Sequence, residues 1–342
     1  MRRICSLLII VPMFLFISAC NTEEEQNSFT QNENEQETSA QVDEKSIYPL
    51  TGLKTVDGDV NRRPVAVMIN NHPKARPQSG LHKADIVYEA LAEGNITRFL
   101  AVFQSDIPDI IGPVRSAREY FIDLSKGFDA LYIHHGWSPS AKEKLESGEA
   151  DYLNGLSYDG TLFWRADNRK APHNSYISYK NILKGAKELN YSSDSEVEPY
   201  QFLSEEEMEV LKGEHVNKFV IEYDKLETWQ ATYEYNQTNN SYSRYSDDEM
   251  TYDMESGEPI TISNVFVVEM EHDYIDNYGR RSIDVQSGGK AILLQGGIMQ
   301  EVDWENREGR IVPVKDGEVI KFAPGKTWIN IVPSLEKSFF IE

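Results

Sequence analysis

"SAREYFIDLSKGFDALYIHH" (residues 116–135) changes its apolar period half-way along, and that change points to the fold. Residues 116–127 read as a helix. Ser116 stands at the N-cap position, Glu119 at the third helical position would complete a capping box, and Gly127 would end it. "DALYIHH" (129–135) follows as an apolar strand. Upstream, "RPVAVMIN" (63–70) is a continuous apolar run of the kind buried on both faces. "ADIVYEALAEGNITRFLAVF" (84–103) reads as a β-hairpin that turns at Gly94-Asn95. Strand, helix and strand in this order predict an α/β layer. "SPSAKEKLES" (138–147) and "SYKNILKGAKEL" (178–189) add two helices.

Beyond them the character changes. "NYSSDSEVEPY" (190–200) is polar and turn-rich, and "LSEEEMEVLKG" (203–213) is a short helix with its own capping box, Ser204 to Glu207. From Val216 onward, short strands rich in Tyr, Thr and Val alternate with turns: "KFVIEYD", "WQATYEY", "NVFVVEM", "AILLQGG" and "TWINIVP". The expectation is a mixed α/β (α+β or α/β) N-terminal domain over residues 47–195. A β-rich C-terminal domain over 196–342 follows, preceded by the short helix.

The N-terminus reads as an address. Arg2 and Arg3 precede an apolar run from Ile4 to Ile17, too short for a comfortable membrane span but suited to a signal peptide over residues 1–19. The run closes on "ISAC", so Cys20 is the expected lipidation site, and the lipidated Cys20 would hold the chain to a membrane. Cys5 would leave with the signal, so no internal disulfide and no thiol catalysis is expected. Residues 20–46 form an acidic tether. Its 21–46 stretch carries eight acidic side chains against one lysine, and almost nothing apolar to offset chain entropy.

The whole chain of 342 residues has 56 Asp and Glu against 34 Lys and Arg, a formal charge of −22. That balance argues against nucleic acid, whose phosphates need clustered cations. There is no GxSxG, P-loop, GxGxxG or HExxH, and the seven histidines lack metal-ligand spacing. No cofactor or metal is expected.

Against this acidity, "IIGPVRSAREYF" (110–121) places Arg115 and Arg118 on either side of Ser116 after a Gly-Pro turn. If Ser116 caps the helix, its first amides and dipole favour an anion there, and the two guanidinium groups would share it. Pairing with the chain's own carboxylates is the alternative. The loops after buried strands supply further candidates: Asn70, Asn71, Arg76 and Gln78 in "INNHPKARPQSG", His135 in "HHGWSP", and Arg165, Arg169, His173 and Asn174 in "WRADNRKAPHNSY". In the hairpin, a regular register after the turn would pair Leu91 with Arg98 and set Glu89, Glu93 and Arg98 on one face. Glu89 and Glu93 are then weak candidates for general acid and base, spaced loosely for a glycosidase pair, or members of a salt-bridge network.

These segments, with the terminal "PGKTWINIVP", resemble the YerB-like lipoproteins of Gram-positive bacteria over about residues 48–340. The resemblance implies two domains of unknown function in an exported or lipid-anchored protein, and no set of catalytic residues. The functional expectation is an extracytoplasmic, lipid-anchored envelope protein that binds an anionic small ligand or cell-wall fragment, or acts as an adaptor. A cell-wall hydrolase and a scaffold without a small ligand are the alternatives. Peptidoglycan and wall-synthesis proteins are the expected partners.

Overall fold

Apolar runs with no polar alternation become the inner strands of a sheet, because both of their faces are covered. Val65–Asn70 and Thr327–Val332 are buried at every position. The computed structural model of the chain describes residues 47–55, 58–223 and 229–342, and these fall within one compact unit. The expected signal peptide, Cys20 and the tether lie outside the described residues.

In chain order, the strands that matter here are β1 (Val65–Asn70), β2 (Ile86–Glu93), β3 (Ile96–Phe103), β4 (Leu131–His134), β5 (Tyr152–Asn154), β6 (Lys218–Glu222), β7 (Gln230–Asn236), β8 (Ser241–Ser246), β9 (Asn264–Glu269), β10 (Gly289–Gln295), β11 (Ile298–Arg307), β12 (Arg310–Lys315) and β13 (Thr327–Val332). Among the described residues, twelve strands make one sheet, whose central order is β12-β11-β10-β9-β13-β2-β3-β1-β4-β5. β13 lies parallel to β9 on one side and to β2 on the other. β1, β4 and β5 are mutually parallel, so their C-terminal ends meet at one edge of the molecule. A second sheet contains β8, β7 and β6 in that order.

The molecule is β-rich. Helices α1 (Glu119–Lys126) and α2 (Pro139–Glu146) pack on one face through Tyr120, Phe121, Leu124, Ala141 and Leu145. On the other face, Ile182 and Ala186 of the Tyr179–Glu188 helix and Phe219, Tyr233 and Tyr242 of the second sheet join a common core with Val67, Phe99 and Trp328. The expected boundary near residue 195 therefore falls between segments that share one sheet.

Two local expectations are corrected. Ser116 is not the N-cap of α1: Arg118 holds that position, without a side-chain cap bond, and the Ser116 hydroxyl donates to His135 O at 3.1 Å. The hairpin register also shifts. Gly94 turns with a left-handed φ of 54°, but a bulge between Leu91 and Glu93 pairs Leu91 with Thr97 and Glu89 with Phe99. Glu89 thus joins the face of Phe99 and Trp328, while Glu93 stays with Arg98 on the other. Both faces of this hairpin are buried, so apolar alternation could not fix its register.

Candidate functional site

The chain segment 113–116 runs between the ends of β1 and β4. Asn70 N donates to Pro113 O at 2.9 Å, Arg115 N to Met68 O at 2.8 Å, and His135 N to Arg115 O at 2.9 Å. Val114 N donates to Ser175 O at 2.7 Å, which brings in the third loop. The loops at 70–78, 113–118, 135 and 165–175 therefore meet where the parallel strands end, the usual ligand position in such sheets.

Hydrogen bonds to backbone amides set the chemistry. His72 N donates to Asn70 Oδ1 at 3.0 Å, so the Asn70 amide is oriented and its Nδ2 donates to His173 Nδ1 at 2.9 Å. Lys74 N donates to His72 Nδ1 at 3.1 Å. Both neutral rings therefore carry their proton on Nε2. The two imidazoles lie 4.6 Å apart with a 33° tilt. Burial first, and then Lys74, Arg76 and Arg115, hold the His72 imidazole below its usual pKa. Burial, His72, Arg115, Lys74 and Arg169 do the same for His173.

His135 is assigned by the same logic. Arg165 Nη2 donates to its Nε2 at 2.8 Å, so its Nδ1–H donates to Ser175 Oγ at 2.7 Å. A ring in that state does not take a proton from Ser175, and this is not a serine–histidine nucleophile. Arg165 also pairs with Asp159 at 2.9 Å and reaches Asn174 Oδ1 at 3.4 Å. Gly155 allows the arrangement, because a Cβ there would overlap the His135 imidazole.

Arg115 and Arg118 have different fates. Arg118 is buried and paired with Glu93, which also holds Arg98 at 2.6 Å. Arg115 makes no ion pair among the described residues. One Nη donates to Pro172 O at 3.1 Å, and its buried Nε has no partner. Burial, with Arg98 and Arg165 nearby, lowers its pKa to about 10. Arg169 donates to Ala75 O and Pro77 O and likewise has no ion pair among the described residues. The expected shared anion between Arg115 and Arg118 is thus corrected. Of the two, Arg115 alone lacks a carboxylate partner among the described residues, and it lies near His72 and His173.

Three other expected residues belong elsewhere. Asn71 donates to Glu89 at 3.1 Å, Gln78 to Asn71 Oδ1 at 3.3 Å, and Arg76 to Asn71 O at 3.1 Å. They surround a fully buried ion pair in which Arg244 Nη2 meets both Glu89 oxygens at 3.0 Å. Thr97 and Trp328 also donate to Glu89, and Arg244 stacks over Phe99 and Trp328. Glu89 and Glu93, on opposite faces and each already paired with arginine, do not flank a bond as a glycosidase pair. His72 and Lys74 are site residues missed at the sequence level. Their signal was the position of "NNHPK" directly after β1.

The fold and site define a β-rich, two-segment protein in which loops carrying arginine, lysine and imidazole side chains gather at the ends of parallel strands. Residues 50–192 match the family described as "Protein of unknown function (DUF3048) N-terminal domain", and 219–329 match its C-terminal domain. The chain belongs to this family. It is 55% identical over 289 residues, 84% of this chain and 86% of the other, to a Bacillus subtilis (strain 168) protein named "Putative lipoprotein YerB". It also resembles the crystal structure of YerB protein from Bacillus subtilis, with 53% identity and a TM-score of 0.81, covering 86% of this chain and 99% of that one. No helix among the described residues is long and apolar enough to cross a membrane.

Proposed function

We propose that the protein is anchored through Cys20 on the extracytoplasmic side of the membrane and binds an anionic small ligand or wall fragment at the loop cluster around Arg115. One observation carries this reading. In a chain of charge −22, Arg115 is half-buried without a carboxylate partner among the described residues, and Arg98 and Arg165 lie near it. Burying an uncompensated cation is unfavourable, and an external anion would offset that cost. The Lys74 and Arg169 side chains, also without ion pairs among the described residues, add positive charge near His173.

The test is thermal. At equal ionic strength, generic screening is the same for all anions, whereas a site discriminates among them. At ten times its Kd a ligand adds about 1.4 kcal/mol of stability, a rise of about 2–3 °C in Tm. Phosphate or citrate should raise Tm relative to chloride, and Arg115→Ala should remove the difference. Equal Tm values in all three salts would reject the reading.

A further inference from the structure

We propose that the group this loop cluster takes is the dianionic end of a phosphate monoester, held by neutral imidazoles rather than imidazolium ions. The inference rests on the anion-site reading above and narrows it. His72 Nδ1 accepts from Lys74 N, and His173 Nδ1 accepts from Asn70 Nδ2, an amide that is itself oriented by His72 N. Each neutral ring is thereby left with an Nε2–H donor, and neither donor has a partner among the described residues. Protonating either ring would set an N–H against an existing N–H donor at Nδ1.

The two rings consequently present donors at their free nitrogens. The Arg115 guanidinium, with a buried and unpartnered Nε, and the exposed Lys74 ammonium lie near enough to both imidazoles to act on them electrostatically. Arg76 and Arg115 also face His72, and Arg115 and Arg169 face His173. The Trp229 ring lies 6.2 Å from His72. Lys74, Arg115 and Arg169 make no ion pair among the described residues, so positive charge exceeds what one monoanion cancels. A carboxylate offers two coplanar oxygens and is satisfied by one guanidinium fork. A phosphate monoester offers three oxygens and nearly two charges at neutral pH, which suits a guanidinium with two further donors from separate rings.

The pH dependence separates the two protonation schemes. If the rings bind as neutral donors, affinity follows the ligand's second ionisation, which lies near pH 6. The full chain in detergent would be titrated calorimetrically with methyl phosphate, dimethyl phosphate and acetate at constant ionic strength. For methyl phosphate, affinity should rise about fourfold from pH 5.5 to 7.5 as the dianion forms. Dimethyl phosphate and acetate should bind at least about tenfold more weakly, for want of charge or oxygens. If affinity for methyl phosphate falls with pH, or if the diester or acetate matches it, the monoester assignment is wrong while the anion site stands. If no anion binds, both readings fail.

Nitrogen-15 spectra of the imidazoles provide a second readout that does not depend on a variant folding. His72 and His173 should stay in the Nε2–H form with methyl phosphate bound, and conversion to imidazolium would overturn the proposal. Asn70→Asp supplies His173 Nδ1 with an acceptor instead of a donor. It should convert that ring to imidazolium and flatten or reverse the rise with pH.

Discussion

Arg115 and Arg118 are three residues apart, yet substitutions at them should have opposite consequences. Arg118→Ala removes a buried partner of Glu93 and should cost about 2 kcal/mol in urea denaturation, with anion binding largely kept. Arg115→Ala should leave stability within about 0.5 kcal/mol in the absence of ligand and abolish the phosphate-specific rise in Tm. The sequence showed both arginines but not which carboxylate would reach them, since that depended on a bulge two residues from a turn. His134 makes a different prediction. It is fully buried, with Nδ1 donating to Gly136 O, and burial lowers its pKa to about 4. A histidine whose folded pKa is depressed contributes stability that is present above the unfolded value near 6.5 and is lost as pH falls toward 4. The loss is of order 3 kcal/mol across that window. His134→Phe should flatten the decline of urea midpoint between pH 6.5 and 4.5, and an unchanged slope would remove His134 as its source.

Among elements, helix starts were legible where a side chain sits next to the amide it caps. Ser138, Ser178 and Ser204 accept from Ala141 N, Asn181 N and Glu207 N, and the capping box at Ser204 is complete. Ser138→Ala and Ser178→Ala should each cost about 1 kcal/mol by urea midpoint at unchanged m-value. The same pattern misled at Ser116, because His135 O, just past the end of β4, competes for its hydroxyl. Strand existence was legible from apolar runs, whereas the β2–β3 register was not. A hairpin covered on both faces gives no polar side from which to count, so Glu89 was assigned to the wrong face. The meeting of these loops was legible as loops after strands. Its donor arrangement was not, since it depends on Asn70, His72 and His173 meeting across about a hundred residues of chain.

At the scale of the whole molecule, β13 enters the sheet between β9 and β2, and Trp328 on it donates to Glu89 on β2 at 3.1 Å. Arg244 on β8 closes that buried charge from the second sheet. Such long-range pairing is invisible to a reading of local pattern. It also makes the two family segments energetically inseparable, so heat or urea should unfold them in one cooperative transition. Arg244→Met strands a buried carboxylate and should cost about 3–5 kcal/mol, whereas adding Glu89→Leu should recover most of it. Two resolved transitions, or equal losses in the single and double variants, would show that this ion pair does not join the halves.

The anion site can be seen directly. A crystal of the protein grown in chloride and soaked in phosphate at pH 7.5 should show tetrahedral density within hydrogen-bond distance of Arg115 and of the Nε2 atoms of His72 and His173. Water alone beside Arg115 at saturating phosphate, or Arg115 turned onto a carboxylate of the chain, would contradict it.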